Sequence, residues 1–369
     1  MVSMILPDFD RLLNSSQRRA VDQRLKGGVG VVQGPPGTGK TVVSAVEALY
    51  ASADGERMVM AALANDTVDE MGWTIVQLLG QERAKQVAVR TGNIESADPR
   101  LPLKAERIPS KEYPIVLTTL HSCKWLPRGL QFDRGIVDET GVETLEQIAM
   151  LMPLLIDTGQ AGSRLNDFFD FVDFLESHQV ALTNVGDPLQ ARPISSRNWD
   201  LSAIEFFMRR RTPLTLRTTY RLPEPIDTVV DQFAGYSGLY SDSSTRNRRM
   251  CLPKQPDVLY RRILQPDPPI TCIDVPGLDD ESGLSSWVNR NEAKVVAKIC
   301  LEARRCDNAL SILPVTRYTG QRNEIAQRLQ EAGLHDVKPR TTTQALGLEA
   351  DLDVVSLTRA NPHNVLGAA

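Results

Sequence analysis

The segment Gly34-Pro35-Pro36-Gly37-Thr38-Gly39-Lys40-Thr41 constrains this chain more than any other. It matches GxxxxGK[ST], follows an apolar run at Val29–Gln33 and precedes a helix-forming stretch at Thr41–Ser52. A strand that ends in a glycine-rich loop and continues into a helix directs backbone N–H groups at one point, where a phosphate can sit. The glycines are required because such a loop takes conformations closed to residues with a Cβ and approaches its ligand closely. The segment therefore predicts an ATP-type site on a parallel sheet. Residues 34–39 wrap the phosphates, Lys40 meets the β- and γ-phosphates, and the Thr41 hydroxyl holds Mg2+.

Hydrolysis needs carboxylates as well as a cradle. Gly135-Ile136-Val137-Asp138-Glu139 ends another apolar run in two acids. Asp138 is placed to hold Mg2+ through its water shell, and Glu139 to orient and deprotonate the attacking water. Beside the phosphate loop this pair points to turnover rather than to binding alone.

The 369 residues suit two domains, and 41% hydrophobic residues can build a core in each. Short apolar runs alternate with helical stretches, as in βαβ units. Strands are predicted at Val29–Gln33, Met58–Leu63, Ile115–Leu120, Gly135–Val137 and Val180–Val185. The charged, proline-ended Arg209-Arg210-Arg211-Thr212-Pro213 marks the expected boundary, giving domains 1–212 and 213–369. In the second half, strands are expected at Leu214–Thr218, Ile270–Val275, Ala309–Val315 and Leu352–Leu357. Helices are expected at Pro225–Phe233, Arg290–Arg304 and about Gln321–Ala332, with an irregular excursion over residues 237–269.

The net charge of −4 excludes a globally basic nucleic-acid binder but leaves room for a local basic groove. No apolar run reaches 18 residues, and the N-terminus lacks a secretory pattern, so no membrane partner and an intracellular location are expected. Five cysteines without a CxxC pair argue against a disulfide framework and suit a reducing interior.

Further segments carry a family likeness. Leu13-Asn14-Ser15-Ser16-Gln17-Arg18-Arg19-Ala20-Val21 resembles the Q motif of superfamily 1 helicases, Val185-Gly186-Asp187-Pro188-Leu189-Gln190 their motif III, and Thr219-Tyr220-Arg221-Leu222-Pro223 their motif IV. Asn289–Ala293, Pro314–Arg322 and Gly347-Leu348-Glu349-Ala350-Asp351 resemble later segments in order, so the likeness runs from about residue 12 to residue 361. Within that superfamily the chain resembles the nonsense-mediated mRNA decay helicases and the nidoviral helicase core. The resemblance implies two tandem RecA-like α/β domains with parallel sheets flanked by helices, and a monomeric ATP-driven helicase or translocase on single-stranded RNA or DNA, moving 5′ to 3′.

It also implies roles for particular residues. Gln17 would read the adenine edge, Tyr220 would stack on the ring, and Gln190 would sense the γ-phosphate. Arg221 would act as an arginine finger from the second domain across an interdomain cleft, with Gly347 and Glu349 near the nucleotide. Ala62–Asp69 resembles motif Ia and Leu117–His121 the next motif, which makes Asn65, Thr118 and Thr119 expected contacts to a nucleic-acid backbone. Helix N-termini and hydroxyls bind phosphate without net positive charge, which reconciles the acidic total with such a partner. Arg209–Arg211, Arg246, Arg248 and Arg249 are candidates for cationic contacts.

The chain departs from the family pattern in places. Val142 stands where a glutamine follows the motif II glutamate, and Leu346 replaces the glutamine before the motif V glycine. Both changes touch communication between the ATP site and the nucleic acid. The region Gly72–Pro114 is short and no accessory barrel precedes the Q motif, so a nearly bare motor core is expected. Ser356-Leu357-Thr358-Arg359-Ala360 imitates motif VI, but its spacing from Glu349 fits the strand after motif V, and motif VI is expected beyond residue 369. Two other readings compete. One is a degenerate or truncated helicase that clamps nucleic acid in an ATP-dependent way. The other is an AAA+ remodelling ATPase, which would lack the GDPxQ and YRxP segments.

Overall fold

The computed structural model describes residues 6–360 apart from 93, 94, 96, 107, 108, 110–112, 128, 157–169, 191–200, 283–285, 346 and 347. The chain falls into two compact units. The first comprises Met1–Leu222 with Asp227–Asp242, the second Pro223–Ile226 with Ser243–Ala369.

In chain order the first unit contains α1 (Ser15–Leu25), β1 (Val29–Gln33), α2 (Lys40–Ala53), β2 (Met58–Ala62), α3 (Asn65–Leu79), α4 (Gln81–Val87), β3 (Ala88–Thr91), β4 (Lys104–Glu106), β5 (Ile115–Thr119) and α5 (Leu120–Cys123). There follow β6 (Arg134–Val137), α6 (Leu145–Ala149), α7 (Met152–Leu155), α8 (Asp170–Ser177), β7 (Ala181–Gly186), α9 (Ala203–Met208), β8 (Leu214–Thr215), β9 (Thr218–Thr219), α10 (Ile226–Ala234) and β10 (Tyr240–Ser241).

Eight strands form one sheet in the order β4-β3-β5-β2-β6-β7-β1-β8, and every pairing is parallel. Parallel strands are buried on both faces, which is why β2 and β5 are buried along their whole length. Met58, Met60 and Ala62 enter one core layer with Val43 and Leu49 of α2. Their neighbours Val59 and Ala61 enter the opposite layer with Leu120, Ile148 and Phe207. That two-residue alternation is the strand period itself.

The second unit holds α11 (Val258–Leu264), β11 (Asp280–Ser282), β12 (Ser286–Val288), α12 (Arg290–Cys306), β13 (Ile312–Thr316), α13 (Thr319–Glu331), β14 (Arg340–Thr341) and β15 (Leu352–Ser356). Strands β14-β13-β15 form a parallel sheet, and β11 and β12 an antiparallel pair. Ile299, Cys300 and Ala303 of α12 share a core with Ile325 and Leu329 of α13. Both units are thus α/β, with parallel sheets flanked by helices, as the resemblance implied. No helix among the described residues is long and apolar enough to cross a membrane.

The structure departs from the expected organisation at four points. The break does not fall at residue 212, because β8 pairs with β1 through Val32↔Leu214 and Gln33↔Thr215 and so extends the first sheet. Leu214–Thr218 is two short strands rather than one. Ile270–Val275 is not a strand: prolines at 266, 268, 269 and 276 remove ladder donors around it, and Ile270 and Ile273 stay partly exposed. The excursion at 237–269 contains β10 and α11 but is otherwise irregular.

Candidate nucleotide site

The phosphate loop lies between the C-terminal end of β1 and the start of α2. Gly37 (φ 71°) and Gly39 (φ 79°) both adopt the left-handed backbone region that side chains rarely take. They also make room for partners. A Cβ on Gly37 would lie 2.3 Å from the Arg221 Cβ, and one on Gly39 would lie 2.6 Å from the Gln17 Nε2. Lys40 Nζ donates to the Gly34 carbonyl at 2.8 Å and Thr38 Oγ1 to the Pro35 carbonyl at 2.8 Å. The Gly34 N–H donates to Gly186 O at 2.9 Å, which ties the loop to the end of β7.

The acid pair sits at the end of β6. Thr41 Oγ1 donates to Asp138 Oδ2 at 3.2 Å, although 97 residues separate them. Asp138 is 1% exposed, and burial, reinforced by the neighbouring Glu139 charge and opposed by Lys40, pushes its carboxyl up to about 6. A hydroxyl and a carboxylate that meet beside a phosphate cradle are hard oxygen donors of the kind Mg2+ takes, so these residues fit that ion. Glu139 is half-buried with φ 59°; its N–H donates to Asp138 Oδ1 at 2.8 Å and its Oε2 accepts from Thr67 Oγ1 at 2.8 Å.

Gln17 is buried and locked by a capping box at the start of α1. Its Oε1 accepts from the Asn14 N–H at 3.0 Å while its Nε2 donates to Thr38 O at 3.0 Å. The carboxamide thus braces the phosphate loop. Tyr220 and Arg221 belong to the first unit and not, as expected, to the second. The reason is local: Thr219 Oγ1 donates to Pro36 O at 2.9 Å and the Tyr220 N–H to Gly37 O at 2.8 Å, so the segment lies directly against the loop. The Tyr220 hydroxyl accepts from Asn14 Nδ2 at 2.9 Å.

Gln190 is exposed in the turn after β7, where its side chain helps hold the buried Asp187, which also accepts from the Tyr236 hydroxyl at 2.5 Å. Gly141 passes so near this turn that a Cβ there would lie 2.4 Å from Asp187 O, which packs the acid loop against it. Glu349 is exposed in the loop between β14 and β15 of the second unit. Gly347 and Leu346 lie outside the described residues.

Among the residues expected to meet nucleic acid, Asn65 opens α3 and its Oδ1 accepts from Arg90 Nη2 at 2.7 Å. Thr118 and Thr119 are buried, with Thr119 Oγ1 capping α5 through the Ser122 N–H. Several of the candidate arginines are paired with carboxylates of their own unit: Arg211 with Glu176, Arg210 with Asp173, Arg246 with Glu224 and Arg249 with Asp267.

Three features escaped sequence reading. Thr67 holds Glu139 across 72 residues, a link with no local signature. Arg90 is 2% exposed inside β3 and pairs with Asp69 at 2.9 Å; an arginine within an apolar strand is the signal that could have found it. Glu143 is fully buried with neither carboxyl oxygen at hydrogen-bond geometry to a described group, and burial near Asp138 pushes it far above the usual carboxylate range. In the second unit, Arg359 stands over the Trp287 ring at 3.7 Å and pairs with Asp279 at 2.5 Å.

Two family models, each described as an AAA domain, match residues 12–110 and 199–369. The chain is 24% identical to a regulator of nonsense transcripts 1 homolog of Neurospora crassa, over 96% of this chain and 35% of that protein. It is 25% identical to the ATP-dependent helicase upf1 of Schizosaccharomyces pombe, over 96% of this chain and 42% of that one. It therefore spans well under half the length of these curated relatives. A solved structure of arterivirus nonstructural protein 10 (helicase) with DNA matches at a TM-score of 0.38 and 14% identity, covering 61% of this chain and 44% of that one.

Proposed function

We propose that this chain, which belongs to the superfamily 1 helicases and resembles their nonsense-mediated-decay branch, hydrolyses ATP with Mg2+ and moves along single-stranded RNA or DNA, 5′ to 3′, as a monomer. The observation that carries the reading is the meeting of Thr41 and Asp138 beside Lys40, with Glu139 next in the chain. It supports a full hydrolytic set: phosphate cradle, metal ligands and base.

In this mechanism the loop N–H groups and Lys40 bind the β- and γ-phosphates, and Gln17 keeps the loop in its binding shape. Mg2+ on Thr41 and Asp138 would neutralise charge developing on the phosphate oxygens. Glu139 takes a proton from the attacking water as the new P–O bond forms and the bond from the γ-phosphorus to the β–γ bridging oxygen breaks, with ADP as the leaving group. Arg221, beside Gly37, supplies positive charge to the transferred phosphoryl group. Gln190, in the turn tied to the loop through Gly186, senses the γ-phosphate. Asn65 and the α3 N-terminus take a backbone phosphate of the strand. The three buried, unpaired thiols Cys123, Cys300 and Cys306 suit a reducing, intracellular setting.

The test is phosphate release with and without single-stranded polymer. Turnover is expected to rise with polymer and to vanish in Lys40→Ala. Turnover indifferent to polymer overturns the motor, and analogue binding without any release identifies a clamp instead.

A further inference from the structure

We infer that Thr67 is a positioning residue for Glu139 and links the hydrolytic carboxylate to the first turn of α3; the inference rests on the hydrolytic reading above. Thr67 is 7% exposed, and its hydroxyl donates to one carboxylate oxygen of Glu139 at 2.8 Å. A threonine in a first helical turn can bond a nearby backbone group instead. Here the hydroxyl reaches across the sheet edge to a different element.

Glu139 needs such a hold. Its backbone is left-handed at φ 59°, a conformation a non-glycine residue keeps only where its surroundings over-determine it. Two bonds do so: its N–H to Asp138 and its Oε2 from Thr67. With one oxygen engaged, the other keeps its lone pairs for the proton of the attacking water.

The other end of the link is equally fixed. Arg90, buried in β3, donates Nε to Asp69 Oδ1 at 2.9 Å and Nη2 to Asn65 Oδ1 at 2.7 Å, each two residues from Thr67 on the same helix. Asp69 Oδ2 also accepts from the Asp98 N–H at 2.8 Å. Residues 65, 67 and 69 therefore move as one body with β3. A load on Asn65, where the strand backbone is proposed to bind, reaches the Glu139 carboxylate through the Thr67 hydroxyl. Val142, three residues after Glu139, has no hydrogen-bonding side chain to offer a parallel route.

The experiment uses the intact chain and measures ATP turnover with and without a single-stranded oligonucleotide in wild type, Thr67→Val, Thr67→Ser and Lys40→Ala. Thr67→Val keeps the shape and loses the donor. Its kcat is expected to fall about tenfold with KM for ATP within about twofold, because the base is misplaced while the cradle is untouched. Thr67→Ser restores most of the loss, and oligonucleotide stimulation in Thr67→Val falls towards none. A kcat loss with stimulation intact overturns the link and leaves the positioning. Equal losses in Val and Ser, a change in KM alone, or wild-type kcat in Thr67→Val overturns the inference by itself. Turnover that survives Lys40→Ala overturns the hydrolytic reading and this inference with it.

Discussion

Thr41 and Asp138, on the helix after β1 and at the end of β6, meet at 3.2 Å. The two strands are not neighbours, since β7 lies between them in the sheet. The contact exists because all the parallel strands end at one edge, where ligands of open α/β sheets bind. Its pH behaviour follows. Only the ionised Asp138 is a good metal ligand, and burial has brought its carboxyl up to about 6. Mg2+-dependent turnover is expected to fall as pH drops through 6, well above the range of an ordinary aspartate; initial rates from pH 5 to 8 at several Mg2+ concentrations check it. More Mg2+ should shift the fall to lower pH, since metal competes with protons for the same oxygen.

The same shift predicts a gain from removing the charge. A carboxyl raised in the folded state stabilises the fold at low pH, and this contribution is lost as pH rises from about 4 to about 6. Above that range the buried charge is a burden, so Asp138→Asn is expected to raise metal-free stability at pH 7.5 by up to about 3 kcal/mol. The amide can still accept from the Glu139 N–H and donate to the Thr41 hydroxyl. Urea unfolding with and without Mg2+ is the measurement, and stabilisation by Mg2+ should disappear in the variant.

Glu143 acts in the same sense. Burial raises its carboxyl well above the ordinary carboxylate range, so ionising it inside the core as pH rises costs stability. The wild type is expected to lose thermal stability relative to Glu143→Gln as pH is raised. Parallel melting curves for the two chains across a pH series would count against it.

Gly30 guards a buried charge network. A Cβ there would lie 2.1 Å from the Arg24 guanidinium, which donates to Thr183 Oγ1 at 2.9 Å, and Thr183 in turn donates to Glu47 at 2.7 Å. Glu47 is fully buried, so displacing Arg24 removes one of the cations that offset its charge and leaves Arg134 at 3.9 Å to hold it. Gly30→Ala is expected to cost about 2–4 kcal/mol by urea unfolding, with KM for ATP unchanged in the folded fraction.

Gln17→Ala removes both the capping box of α1 and the brace on Thr38. The expected result is a loss of about 1 kcal/mol in stability together with weaker nucleotide binding, measured by titration with a fluorescent ATP analogue. Unchanged affinity would show that the loop holds its shape without the brace.

The amino-acid order alone determined the parts whose chemistry is local. The phosphate loop is legible because its glycines, lysine and threonine act through backbone bonds to their own neighbours, and the strands are legible because burial on both faces writes an unbroken apolar run. The acid pair Asp138-Glu139 is legible for the same reason, as the polar end of such a run. Tertiary structure alone decided what each of these residues touches. It drew β8 and the Tyr220-Arg221 segment into the first unit, and it turned the Gln17 carboxamide onto Thr38. It also brought Thr67 to Glu139 and buried the Glu143 carboxyl near Asp138. These are contacts between residues tens to hundreds of positions apart, set by the order in which parallel strands stack, and that order is a property of the packed sheet rather than of any segment within it.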